Sequence, residues 1–181
     1  MSNKIIFVFF ISFSFSHAFA QTPDLTLHNT RAEYEQNYKY RITQKYLAGV
    51  YIPIDLPDAF TELNRLTDSS SRKIFMQLNE YQAEHKLFFS LTRWICTNWG
   101  LYEGSRIGQY LREAGLSYPE DQATAIVICW HRSLNKDPIA FKILRDKLVE
   151  KRHSEFEALQ KNKKTKEIIV PANNSPVAKK N

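Results

Sequence analysis

The chain has 181 residues, 43% of them hydrophobic and 24% charged, which suits one domain with a real core and excludes wholesale disorder. Five glycines and seven prolines exclude collagen-like or low-complexity architecture, and two cysteines exclude a disulfide scaffold or a zinc site of four cysteines. The formal charge of +6 is a property of one end. Six lysines against Glu167 fall in residues 161–181, Lys4 is alone in 1–20, and residues 21–160 hold eighteen basic and eighteen acidic side chains. Nucleic-acid binders carry their charge on the folded face, so no nucleic-acid partner is expected.

Lys4 precedes a twelve-residue run, Ile5 to Ser16, and Ala18-Phe19-Ala20 follows with small residues at the two positions a signal peptidase reads. The run is shorter than the roughly 20 residues a membrane helix needs. Residues 1–20 therefore read as a signal peptide, with export to the periplasm or medium after cleavage following Ala20. No other stretch is apolar enough to span a membrane, so no transmembrane segment is expected in the mature chain.

The mature chain is helical in pattern nearly throughout, and no internal repeat appears. Tyr34, Tyr38, Ile42 and Tyr46 recur every four residues, which predicts one helix face with Gly49 as its stop. Val50 to Pro53 reads as a short extended link, because Pro53 biases Ile52 away from helix. Asp55 caps the next helix, whose stripe is Leu56, Ala59, Phe60, Leu63 and Leu66. Asp68 and Ser69 to Ser71 make a turn and cap before Ile74, Phe75 and Leu78. Leu87, Phe88, Leu91, Trp94, Ile95 and Trp99 mark a strong helix from about Glu84 to Gly100.

Ser105 caps a compact helix carrying Ile107, Leu111 and Ala114, closed by Gly115. Ser117 and Glu120 have capping-box spacing. The following stretch from Ala123 to Trp130 is apolar except for Thr124, so a helix near 121–134 is expected to be buried and central. Asp137-Pro138 reads as a cap with proline at the first helical position. A last helix carries Phe141, Leu144, Leu148, Phe156 and Leu159 and is expected to project from the core. Residues 161–181 read as a basic, disordered tail. The fold expected is all-α: a single compact domain over 21–160, of about six short helices.

Five blocks stand out: Gly49 to Pro53, Asn98 to Tyr102, Gly104 to Ile107, Tyr118 to Asp121, and Trp130 to Asn135. In order and spacing they resemble a bacterial domain family catalogued only as a domain of unknown function. Its pattern is Y-I-P-x-D-L, N-W-G-L-W-x-G-S-R, H-P-D-D and L-N, and the resemblance covers roughly residues 47–140. Tyr102, Tyr118 and Glu120 depart from the residues common there. The resemblance implies secretion, as in several relatives, and implies no activity.

The candidate chemistry is thin. Cys129 and His131 are two residues apart on a helix, so they point about 200° apart and form no dyad. Cys96 and Cys129 both sit in apolar helix patterns and read as packed thiols. His28, His85, His131 and His153 lack metal-ligand spacing, so neither a metal nor any other cofactor is expected. Trp94, Trp99, Tyr102, Tyr110 and Trp130 form either a ligand platform or, at helical spacing, core. Glu103, Glu120 and Asp121 offer carboxylates for an envelope hydrolase, though Glu120 and Asp121 also suit the first turn of a helix.

The segment Gly100 to Arg106 is the most informative, with Trp99 and Tyr102 expected to flank it. Gly100 and Gly104 relax the backbone, Ser105 opens a helix whose free N–H groups face the same place, and Arg106 adds a planar donor fork. Trp99, Gly100, Tyr102, Glu103, Gly104, Ser105 and Arg106 are therefore the candidate binding residues. The alternative is a connector in which Arg106 pairs with Glu103 or Asp121. No catalytic residue is assigned. The function expected is a non-enzymatic binding or interaction module, with an envelope protein or an anionic envelope polymer as partner. The rival is a hydrolase using Glu103 and Asp121.

Overall fold

The computed structural model describes residues 30–169; the signal-peptide reading, His28 and the chain after 169 lie outside them. Among the described residues the order is α1 (Arg31–Arg41), β1 (Tyr46–Leu47), β2 (Val50–Tyr51), α2 (Leu56–Leu66), α3 (Ser69–Met76), α4 (Glu80–Leu87), a π turn (Phe88–Thr92), α5 (Arg93–Asn98), α6 (Arg106–Glu113), α7 (Pro119–Asn135) and α8 (Phe141–Ile169). The fold is all-α apart from a two-residue antiparallel ladder pairing Tyr46 with Tyr51 and Leu47 with Val50. Among the described residues there are eight helices against the expected count of about six; the helix expected from about Glu84 to Gly100 is divided by the π turn into α4 and α5.

Local chemistry explains most starts. The Asp58 N–H donates to Asp55 Oδ1 at 2.9 Å and the Ser71 N–H to Asp68 Oδ1 at 2.9 Å, capping α2 and α3. Thr30 and Glu33 form a reciprocal capping box on α1, each side chain 3.2 Å from the other's backbone nitrogen. The box expected of Ser117 and Glu120 does not form: Tyr118 is the N-cap of α7, and Pro119 supplies the first turn without needing a donor.

The first tyrosine helix is shorter than its spacing suggests. It ends at Arg41, and Tyr46 belongs to a strand instead, because Ala48 and Gly49 turn the chain with φ of 48° and 79°. Two positive φ angles in a two-residue loop match the twist of a hairpin. Asp137 and Pro138 precede an extended link rather than a helix; Lys136 closes α7 in the left-handed region at φ 61° and α8 starts at Phe141. Helix α8 then runs past residue 160 to Ile169, through four lysines and Glu167, residue types that are good helix formers.

The core forms around α7, where every residue from Gln122 to His131 is buried. Helices α2, α3, α4, α5, α6 and α8 all touch it. Leu56, Ala59 and Leu63 of α2, Ile95 of α5, Ile107 and Leu111 of α6, and Leu144 and Leu148 of α8 complete the core. Phe75 stacks on Trp130 at 4.8 Å, and the Trp130 indole N–H donates to Asn64 at 3.0 Å. Ile74 is instead exposed, and the side chains of Leu87 and Phe88 lie outside the described residues.

Candidate functional site

The segment between α5 and α6 is a tight loop with two residues in the left-handed region, Gly100 at φ 62° and Gly104 at φ 95°. Both faces that glycine leaves open are filled by α1. A β-carbon on Gly100 would lie 2.7 Å from Arg41 Nη2, and one on Gly104 would collide with the Tyr38 ring. Arg41 Nε donates to the Gly104 carbonyl at 3.0 Å, and Arg41 Nη2 lies 3.6 Å from Glu103 Oε2. The Tyr38 hydroxyl donates to Gln109 Oε1, and the Arg112 guanidinium stacks on the tyrosine's ring at 5.1 Å. Burial lifts the Tyr38 phenol above its ordinary value, and Arg112 pulls the other way.

The seven candidate residues separate into four environments. Trp99 is 0% exposed and belongs to the core, so it does not flank a surface; its indole nitrogen has no hydrogen-bond partner and its ring meets Trp94 edge-on at 6.1 Å. Ser105 is also fully buried, and its Oγ accepts the Gly108 N–H at 3.3 Å as the cap of α6. Tyr102 and Glu103 are the accessible members. Gly100 and Gly104 are buried against Arg41 and Tyr38.

Arg106 faces inward. Its Nε donates to the Ile52 carbonyl at 2.5 Å, its Nη2 lies 3.9 Å from Asp58 Oδ2, and its guanidinium covers Tyr51 at 5.2 Å. The Tyr51 hydroxyl and the Ile54 N–H also donate to Asp58 Oδ2, at 2.7 and 2.9 Å. The arginine therefore ties α6 to the strand exit and α2, and its partner is neither Glu103 nor Asp121. Asp58 lies 48 residues away in sequence, so no local signal names it.

A second feature involves residues the loop reading did not include. The turn before α7 and one face of α8 enclose a groove of about 280 Å³ lined by Gly115, Leu116, Tyr118, Asp121, Val149, Arg152, His153 and Phe156. Arg152 grips Asp121 with two donors, at 2.6 and 3.0 Å, and lies over the Tyr118 ring at 4.8 Å. Tyr118, Val149 and Phe156 remain exposed around this pair, and Leu159 continues the same face along α8. Spacing of 149, 152, 156 and 159 puts these side chains on one stripe, a pattern visible in the sequence once the helix is known to continue.

Asp121 and Glu103 each sit against an arginine, Arg152 and Arg41 respectively. A third, polar cleft is lined by Leu78, Asn79, Glu80, His131, Asn135 and Asp137. There His131 Nε2 lies 2.9 Å from the Leu78 carbonyl, which can only accept, so that nitrogen carries the proton. Arg132 grips Glu80 with two donors at 2.8 Å and holds that carboxyl below its ordinary range. Burial raises the thiols, Cys96 to about 11 and Cys129 to about 12. Cys96 Sγ lies 3.4 Å from the Pro119 carbonyl, and both cysteines are free and buried. Thiols of that kind are packing groups rather than nucleophiles. Among the described residues no cluster of His, Cys, Asp and Glu has the makings of a metal site, and no helix is long and apolar enough to cross a membrane.

No curated protein and no solved structure matches the chain. A family model does match, over residues 52–134, a span that starts beside the Arg106 anchor at Ile52 and ends within α7; α1, the hairpin and α8 lie outside it. That stretch of the chain is similar to a family described as a domain of unknown function (DUF6794).

Proposed function

We propose that the chain is an exported, non-enzymatic binding or protein-interaction module of the cell envelope. The observation that carries this reading is the groove between the α7 turn and α8. Its apolar members Tyr118, Val149 and Phe156 lie exposed around the Asp121–Arg152 pair, and α8 carries Leu159 onward. A contiguous apolar patch rimmed by charge is what a protein surface offers to a partner. Phe156, 56% exposed, contributes little to the fold where it stands and is free to contact another molecule. Export rests on the Lys4 and Ala18-Phe19-Ala20 pattern, which predicts a mature chain beginning at Gln21. Tyr102 and Glu103 provide a second accessible spot on the loop before α6.

The test uses the protein recovered from its own cells. Its intact mass is expected to correspond to a start at Gln21, and a species retaining residues 1–20 overturns export. The parent and Phe156→Glu are then used as baits on solubilised envelope, with partners identified by mass. The variant is expected to keep its melting temperature and lose the parent's partner. Equal capture by both, or release of glycan fragments by the parent, overturns the reading, the latter in favour of a hydrolase.

A further inference from the structure

Helix α1 and the loop before α6 fit each other in a way that α1's own chemistry does not require. No residue of α1 is buried. An isolated helix of eleven residues is marginal in water, so α1 owes its order to its contacts. Two side chains one turn apart make them. Tyr38 lays its ring on the bare face of Gly104, beneath the Arg112 guanidinium, and gives its hydroxyl hydrogen to Gln109. Arg41 lays its fork on Gly100, donates to the Gly104 carbonyl and faces Glu103.

The receiving surface is more specialised than the helix that sits on it. Two residues hold left-handed backbone angles and lack side chains at the two points of contact. A cation is supplied over the aromatic ring, and a carbonyl and a carboxylate are supplied for the guanidinium. This receiving surface lies inside the matched domain, at residues 100–112, whereas α1 lies outside it. A surface shaped for tyrosine and arginine three residues apart on a helix does not depend on which chain supplies the helix.

We propose that residues Gly100, Glu103, Gly104, Gln109 and Arg112 form a docking site for a helical Tyr-x-x-Arg segment, that α1 is its resident occupant, and that a partner protein's helix of the same pattern displaces α1. The receptor is thus masked in the free chain. This is independent of the α8 groove, and either can fail without the other.

A fluorescent peptide of residues 30–45 is the probe, titrated into the full-length protein. Tyr38→Ala/Arg41→Ala removes the resident grip while leaving the receptor whole. It is expected to bind the peptide at least about tenfold more tightly than the parent, because masking reduces apparent affinity by the fraction open. A peptide with both side chains replaced by alanine is expected not to bind. Adding Gly104→Ala to the double variant places a methyl where the ring must lie, and is expected to abolish binding. Equal affinity for parent and variant, or equal binding of the alanine peptide, overturns the proposal. Should the variant not fold, hydrogen exchange on the parent decides. Amides of α1 are expected to exchange faster than those of α6, and faster still with excess peptide. Exchange of α1 only with the whole fold overturns it.

Discussion

Helices α1 and α7 show two ways in which this chain holds a helix. Along α7 every residue from Gln122 to His131 is buried, among them Ile126, Val127, Ile128 and Trp130. In α1 none is. Burying one large aliphatic side chain is worth roughly 1.5–3 kcal/mol, so α7 is fixed by apolar area that no single polar contact rivals. Helix α1 is held by the Tyr38 ring between Gly104 and the Arg112 guanidinium, by the Arg41 fork on Gly100, by two hydrogen bonds and by an ion pair at 3.6 Å. Contacts of that kind contribute about 1 kcal/mol each, and less where water competes. The difference assigns the two helices different work: α7 organises the core, and α1 covers the loop before α6 through polar and ring contacts.

The widest separation should come from truncating one side chain on each. Ile126→Ala removes a fully buried branch from the centre of α7 and is expected to cost roughly 2–5 kcal/mol in urea unfolding. Tyr34→Ala on α1, where the ring is half exposed, is expected to change stability by no more than about 0.5 kcal/mol. Similar losses for the two would erase the distinction.

Acid separates the helices by their ion pairs. The two-donor grip of Arg132 on α7, opposed by burial, lowers the Glu80 pKa from the ordinary 4.5. A carboxyl depressed in the folded state adds stability that is present above 4.5 and is lost as pH falls through the lowered value. Glu80→Gln is therefore expected to unfold more readily at neutral pH, with the gap from the parent closing below pH 4.5. Glu35 of α1 also meets an arginine, Arg31 at 2.8 Å, but both are exposed, and Glu35→Gln is expected to leave the denaturation curve unmoved. Melting temperature against pH for the two variants checks both outcomes.

The thiols report on the core helices directly, Cys129 on α7 and Cys96 on α5. Burial raises Cys129 to about 12 and Cys96 to about 11, so at pH 8 the folded chain exposes no reactive thiolate. A thiol reagent is expected to react with the native protein only as fast as α5, which carries Cys96, and α7, which carries Cys129, open, and with two thiols per chain at once in denaturant. Finding no free thiol in denaturant would mean the cysteines are bridged.

How far the sequence speaks for the structure follows from how far apart the partners are. Asp55, Asp68 and Ser105 cap helices whose N–H groups lie three residues on, and each cap is where its residue type and spacing put it. The apolar run at 123–130 announces its own burial. The tyrosine spacing misleads at 46, because four-residue recurrence suits a helix and takes no account of the Ala48-Gly49 turn that folds Tyr46 back on Tyr51. Two glycines in the loop before α6 announce a close approach. What approaches, Tyr38 and Arg41, lies some sixty residues earlier, and Asp58 and Ile52, which hold Arg106, are about fifty residues from it. Tertiary pairs of that separation leave no periodic trace.

The finest test of the comparison uses the same chemistry at two helix starts. Thr30 caps α1 and Ser105 caps α6, each accepting a backbone N–H three residues on, at 3.2 and 3.3 Å. Replacing such a cap by alanine costs about 1 kcal/mol of local helix. Ser105 is fully buried and α6 sends Ile107 and Leu111 into the core, so its helix cannot loosen without the domain. Ser105→Ala is expected to lower global stability by about that amount. Thr30 is exposed on a helix that buries nothing, so Thr30→Ala is expected to leave the melting temperature in place. Its cost should appear only as faster hydrogen exchange along α1, by about fivefold, the factor that 1 kcal/mol represents. A shared drop in melting temperature for both variants would make α1 part of the cooperative core, and α1 could then no longer be displaced without unfolding the rest.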